Sequence, residues 1–348
     1  MYEKDGEKYF IVDTHIHFWD ASPQNWVKGR EDLAKGWIEC FHAYQGLGPA
    51  DTHWTIEKFM KYSEDDFEKD VFEEGKTDYG VFQSTYLKYW YTDGFNTLAQ
   101  NAPMAEKHDG KLLLNGRWDP REGEAGLRQL EEDAKRYNMK GVKLYTAEWY
   151  NGSRGWTLND PEAQPFLEKC QELGIKNIHV HKGPTIWPLD KDAFSPVDID
   201  AAATDHQDLN FIVEHAAIPR IEDFCFMAVQ EPNVYAGLSV VIGGLMHARP
   251  KFFAKVMGEL LFWVGEDKLT FGSDYNIWTP KWQIEGFVDW QMPDDEELSD
   301  YQKITTAGKK KSLGLNAAKL YDIEVPEEYR IPVPPGEPAR EDSAVGVS

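Results

Sequence analysis

The sequence predicts an α/β fold, a single (β/α)8 TIM barrel. Eight short β-rich runs alternate with helical stretches between about residues 9 and 276, and no GxGxxG follows any of them. Strands that alternate with helices need crossovers, and crossovers make a parallel sheet. Eight such units over roughly 250 residues is the size of a closed barrel. An open doubly wound sheet is the alternative, but it normally has fewer strands and a Gly-rich first turn.

The candidate strands are Tyr9–Phe18, Tyr79–Leu87, Leu112–Asp119, Lys140–Tyr145, Asn177–His181, Asn210–His215, Val234–Ser239 and Leu269–Asp274. Between them, Leu127, Leu130 and Ala134 recur at helical spacing inside a charged frame. Asp160-Pro161 reads as an N-cap followed by proline in the first turn, and Pro219 opens a helical segment from Arg220 to Val229. Residues 20 to 75 exceed a connector and carry Trp19, Trp26, Trp37, Trp54, His42 and His53. That insertion either lids a site or makes an oligomer contact. A second insertion, residues 280 to 300, holds Trp282, Trp290 and the acidic run Asp294 to Glu297. The barrel domain is expected to span residues 1 to 324. From 325 to 348 the chain is rich in Pro and Glu, which predicts a disordered or extended arm.

Composition excludes several functions. Lys plus Arg is 37 and Asp plus Glu is 60, a net charge of −23. Nucleic-acid binding needs concentrated basic surface, and the one basic run is Lys309 to Lys311. Acidic charge also disfavours anionic membranes, and no apolar run reaches the roughly 18 residues of a membrane span. The N-terminus lacks an apolar h-region, so no signal peptide is expected. Cys40, Cys170 and Cys225 are odd in number and form no CxxC, which fits a reducing, cytoplasmic location.

The chemistry begins on the first strand, Ile11-Val12-Asp13-Thr14-His15-Ile16-His17-Phe18. Alternate strand side chains share a face, so His15 and His17 point together into the barrel with Ile16 against the helices. His179 and His181 form a second such pair. A lone HxH is a weak signal, because a satisfied core or surface pair is the ordinary outcome. Position strengthens it. The C-terminal ends of barrel strands carry function. There the fifth strand ends in His181, the sixth in Glu214-His215 and the eighth in Phe271-Gly272-Ser273-Asp274. Three or four N/O ligands with an open position describe a catalytic divalent metal, Zn²⁺, Mn²⁺ or Fe²⁺.

These residues resemble the amidohydrolase superfamily, in particular its amidohydrolase-related group that includes aminocarboxymuconate-semialdehyde decarboxylase and hydroxybenzoate-type decarboxylases. The matches are Asp13-Thr14-His15-Ile16-His17, His181, Glu214-His215, Phe271-Gly272-Ser273-Asp274-Tyr275 and the terminal Leu315-Asn316-Ala317-Ala318-Lys319-Leu320-Tyr321. The resemblance covers about residues 10 to 323. It implies that His15, His17, His181 and Asp274 ligate one divalent ion, Zn²⁺ first, with Mn²⁺ or Fe²⁺ as alternatives. It implies that Asp274 and His215 are catalytic, with His215 as the acid/base histidine or, with Lys143, a ligand for a second metal. His179 lies one layer deeper and reads as packing or support.

Lys143, on the fourth strand, otherwise faces a substrate carboxylate or Glu148. Arg117 and Lys182 are candidate carboxylate anchors. Trp149, Tyr150, Trp156, Trp187, Tyr275 and Trp278 lie in loops after strands and would line an aromatic pocket, with Trp187 among the substrate-binding residues.

The expected function is hydrolysis of a small amide, ester or lactone by a metal-activated hydroxide. Non-oxidative decarboxylation of a small aromatic or enoic acid is the alternative, and a catalytically silent accessory subunit is a further one. The partner is a small-molecule substrate, with no nucleic acid and no membrane. A homodimer or higher homo-oligomer is expected from the aromatic insertion.

Overall fold

The computed structural model describes residues 2–332. Eight parallel strands follow one another around the sheet in chain order: β1 (Val12–Ile16), β2 (Tyr79–Gln83), β3 (Leu112–Gly116), β4 (Gly141–Leu144), β5 (Asn177–His181), β6 (Asn210–Glu214), β7 (Val234–Gly237) and β8 (Leu269–Thr270). Thr14 N–H donates to the Phe271 carbonyl (2.9 Å) and Ile16 bridges Tyr275 in parallel, which brings β8 back to β1. The architecture is a (β/α)8 barrel. Strands covered on both faces read as continuous apolar runs, and polar residues inside them stand out.

The strands are shorter than the sequence suggests at both ends of the barrel. Tyr9 closes an antiparallel hairpin, Tyr2–Lys4 with Glu7–Tyr9, instead of opening β1. After Thr270 the backbone leaves the ladder, and Asp274 adopts a positive φ of 58°. In β1 the register slips between Asp13 and Ile16, three steps against two on β2. Such a bulge re-aims side chains beside a site.

The long insertion lies over the C-terminal mouth. Its helix Glu31–Ala43 buries Ala34, Trp37, Ile38 and Phe41, one face at helical spacing. Trp19 stacks on Phe95 (4.8 Å between centroids) and meets Phe41 and Phe59. His42 Nε2 contacts the Trp54 carbonyl (2.8 Å) and His53 Nε2 that of Gly48 (3.1 Å), so both tie the insertion to itself. Trp19 and Trp37 are thus buried within the chain, and Trp26 and Trp54 are half-buried. Among the described residues the exposed large aromatics are Trp187, Phe226, Phe262 and Trp263.

Residues 325–332 pack on the barrel: Tyr329 is buried and meets Phe10 with centroids 5.5 Å apart. The rest of the expected arm lies outside the described residues. No helix among the described residues is long and apolar enough to cross a membrane, and the three cysteines are free.

The helical turn Lys311–Leu315 presses backbone to backbone against the entry to β1. A Cβ on Gly314 would sit 1.9 Å from the Phe10 carbonyl oxygen and 3.2 Å from Val12 N. Backbone cannot rotate away as a side chain can. Gly314→Ala is therefore expected to cost about 3 kcal/mol, the upper end for overpacking, read as a lower urea midpoint.

Candidate metal centre

Residues from β1, β4, β5 and the turns after β6 and β8 meet at the mouth. His15, His17, Lys143, His181 and Asp274 line one cavity of about 30 Å³, walled by Trp37, Phe41, Phe95, Tyr145 and Ile186. His17 Nε2 lies 3.3 Å from Asp274 Oδ1 and His15 Nε2 lies 3.6 Å from it. His215 Nδ1 is 4.0 Å from Asp274 Oδ2, and His215 Nε2 is 3.1 Å from His181 Nδ1. The tightest ligand group is His15, His215 and Asp274, whose donor atoms all lie within 4.8 Å of one another. His17 flanks it, and His181 reaches it through His215. The set expected from sequence is brought to one cavity, with His215 closer to Asp274 than its assigned role requires.

Hydrogen bonds beyond the cavity orient these ligands. His15 Nδ1 is 2.7 Å from Glu214 Oε2, so the carboxylate keeps the ring proton on Nδ1 and leaves Nε2 bare. His17 Nδ1 lies 2.9 Å from the Gln83 carbonyl and 2.8 Å from Asn96 Nδ2, contacts that hold the ring with Nε2 turned to the cavity. The bare His15 Nε2 thus faces the oxygen Oδ1 of Asp274, acceptor against acceptor, and His17 Nε2 approaches the same oxygen. A cation between them satisfies all three, so the donor set fits a divalent ion of the Zn²⁺ or Mn²⁺ kind.

The electrostatics agree. Burial pushes His15 down to about 3, helped by Lys143 and opposed by Glu214 and Asp274. Burial likewise lowers His181 and His215. Neutral imidazoles are the metal-binding form. Burial opposes ionisation of Asp274, yet His15, His17 and His215 outweigh it and hold its carboxyl well below the usual range. Glu214 is held well below its range in the same way, against burial, by His15, Lys143 and His179.

Several expected anchors are elsewhere. Lys182 is buried and committed to Asp198 (2.8 Å to Oδ1), the Ala193 carbonyl and Thr146, on the outer side of β5. An alternating strand turns the residue after His181 away from the mouth. Arg117 follows β3 outward, donates to Glu122 (2.6 Å) and lines a separate groove with Tyr86, Lys88 and Tyr150. Trp187 is half exposed and lies over Gly36 of the insertion, while its neighbour Ile186 lines the cavity. Lys143 Nζ is 3.3 Å from His15 Nε2, and Glu148 faces Arg117 and the Lys88 N–H instead.

Of the loop aromatics, Trp278 borders the site. Tyr275 belongs to a cluster with Trp54, Tyr62 and Phe67, Trp156 pairs with Trp118, and Trp149 with Trp90. The walls Trp37 and Phe41 come from the insertion. Glu214 and Ser239 also escaped assignment. The available signal was a carboxylate inside an apolar strand, next to His215.

A cavity this size holds about two waters. The helix Glu31–Ala43 and the loop carrying Ile186 cover it, joined where Tyr44 Oη donates to the Thr185 carbonyl (2.9 Å). The insertion thus covers the cavity.

Barrel and donor set together define a metal-dependent enzyme. The family model described as Amidohydrolase matches residues 12–323, and the chain belongs to that family. Family membership makes it an enzyme of the amidohydrolase type. Among solved structures it is similar to a TIM-barrel protein of Bordetella bronchiseptica (TM-score 0.65, 19% identity, 90% of this chain and 98% of that one). It is also similar to 5-carboxyvanillate decarboxylase of Novosphingobium aromaticivorans, complexed with manganese and 4-hydroxy-3-methoxy-5-nitrobenzoic acid (0.58, 13%, 90% and 96%). A third is a probable 2-pyrone-4,6-dicarboxylic acid hydrolase of Acinetobacter baumannii with citric acid bound (0.54, 13%, 90% and 99%). At these identities the likeness is one of fold. No curated protein matches the sequence.

Proposed function

We propose that the protein is a metal-dependent decarboxylase of a small aromatic or enoic acid, with His15, His17, His181 and Asp274 holding one divalent ion and His215 beside them. The observation that carries this reading is Lys143. It is a fully buried lysine that lines the same cavity as Asp274, with its Nζ 3.3 Å from His15 Nε2, and it makes no ion pair within 4 Å among the described residues. An unpaired buried ammonium is costly, and a substrate carboxylate relieves that cost. Both structural relatives with a stated activity act on carboxylic acids by their printed names.

When bound, the cation supplies Lewis-acid polarisation of substrate oxygens. Lys143 orients the carboxylate. Trp37, Phe41 and Phe95 exclude water and present apolar faces to a substrate. Loss of CO2 breaks the bond from the ring or enoic carbon to the carboxyl carbon and leaves the electron pair on the former. The carbon takes a proton that comes from solvent, and His215, 4.0 Å from the ionised Asp274, is the group that would relay it.

Hydrolysis of a lactone, ester or amide is the second reading, and a specific observation favours it. Burial lowers the Lys143 pKa, opposed by Glu214 and Asp274. A neutral amine 3.3 Å from His15 Nε2 is the form that takes up CO2 as a carbamate, and Lys143 and His215 would then serve a second ion.

The metal-loaded enzyme, given aromatic and enoic acids, is expected to release one CO2 per substrate consumed. Turnover of lactones or esters with no CO2 from any acid would sink the decarboxylase reading. Metal analysis is expected to give one ion per chain; two would make Lys143 a carbamate. Lys143→Met is expected to raise KM about tenfold, the worth of one charged hydrogen bond, with a smaller change in kcat.

A further inference from the structure

Beneath the metal centre a line of buried polar groups runs up from the C-terminal segment, and nothing in the catalytic reading uses its lower half. We propose that Tyr321 and His179 are positioning residues that hold the ligand His15 through Glu214. The inference rests on the reading of His15 as a metal ligand.

The geometry is continuous. Asn115 Nδ2 donates to Tyr321 Oη (2.8 Å). Tyr321 Oη lies 2.7 Å from His179 Nε2, and His179 Nδ1 lies 2.5 Å from Glu214 Oε1. Glu214 Oε2 takes His15 Nδ1 (2.7 Å) and the Ser239 hydroxyl (3.0 Å). All of these side chains are buried.

Donor arithmetic gives the line a direction. The amide of Asn115 has only protons to give at its nitrogen, so the phenol oxygen accepts there and its own proton goes to His179 Nε2. His179 then carries its proton on Nδ1 and donates it to Glu214. The carboxylate receives from His179 on one oxygen and from His15 on the other. Gln83 Nε2 also approaches His179 Nδ1 (3.2 Å), but the shorter contact to Glu214 (2.5 Å) sets the direction, and the last consequence is a bare His15 Nε2 in the cavity. Without the phenol, His179 can move its proton to Nε2, which turns a lone pair toward Glu214 and loosens the carboxylate. Partners of this kind set ligand orientation and typically hold 10- to 100-fold in metal affinity.

This also accounts for the terminal motif ending in Tyr321. Asn316 Nδ2 donates to the Glu266 and Leu269 carbonyls (2.8 Å each), and the Leu320 carbonyl accepts from Asn177 (2.7 Å). The segment is pinned to β8 and β5, so the Tyr321 ring enters the barrel from below at a set height. An ordinary core tyrosine would need only its ring there.

The test is Zn²⁺ affinity, read by competition with a chromophoric chelator on chelator-stripped full-length protein, beside the melting temperature of each metal-free variant. Tyr321→Phe and His179→Leu are expected to weaken Zn²⁺ about tenfold or more. His179→Asn, whose amide still donates toward Glu214, is expected to recover most of that loss. Wild-type Zn²⁺ affinity in Tyr321→Phe and His179→Leu, with or without a lower melting temperature, would overturn the proposal provided that His15→Ala loses the metal. Retained Zn²⁺ in His15→Ala would instead overturn the ligand assignment on which it rests. Should Tyr321→Phe fail to fold, the contrast between His179→Leu and His179→Asn decides.

Discussion

Asp274→Asn is expected to abolish turnover while the barrel stays folded. The residue is anchored by its backbone: Asp274 N–H donates to the His15 carbonyl (2.9 Å), and its φ of 58° is one that Asn tolerates better than most residues. The substitution therefore keeps shape and position. It removes the negative charge that three histidines hold ionised, and with it a carboxylate oxygen lying 3.3 Å from His17 Nε2 and 3.6 Å from His15 Nε2. Loss of a positioned acid/base group costs about 10²–10⁴-fold in rate. Turnover, bound metal and circular dichroism on the same sample check it. Full activity in the variant would remove Asp274 from both chemistries.

The second large effect is on stability. Lys182 and Asp198 are both buried, Nζ donates to Oδ2 at 2.9 Å, and the same carboxylate accepts from Leu158 N–H (3.0 Å). Burial lowers the Lys182 pKa, and Asp198 opposes that. Asp198→Ala leaves an ammonium in the protein interior with only the Ala193 carbonyl (3.2 Å) and Thr146 (3.4 Å) for company. Breaking a buried pair this way costs about 3–5 kcal/mol. Lys182→Met combined with Asp198→Leu is expected to recover most of it, because the desolvation penalty leaves with the charges. Urea denaturation of the three variants checks this. A pure activity loss in Asp198→Ala, with an unchanged urea midpoint, would return Lys182 to substrate binding.

The barrel was legible because its signal is local and repeated. Each strand is a short apolar run with its own flanking turn, and strand order follows chain order, so every unit could be read without knowledge of the others. The cluster at the mouth was legible for a related reason. His15, His17, His181, His215 and Asp274 sit at or just beyond strand ends, and in a closed barrel strand ends converge. Where the reading failed, the side chain's direction decided. Lys182 stands one residue past the inward-facing His181 and points out, while Arg117, past the end of β3, turns to Glu122. Trp187 stands one residue past Ile186 and lies on the insertion.

By itself the sequence determined the fold class, the family and the residues able to bind a cation, because periodicity and the chemistry of a donor atom belong to each segment alone. The tertiary structure decided which aromatic residues wall the site, that the insertion covers it, and that Glu214, His179 and Tyr321 form one line beneath it. Those are relations between residues far apart in the chain: Tyr321 lies 142 positions from the histidine it touches. No local pattern encodes such a pairing. It exists only once the closed barrel has set the distance and the direction between them.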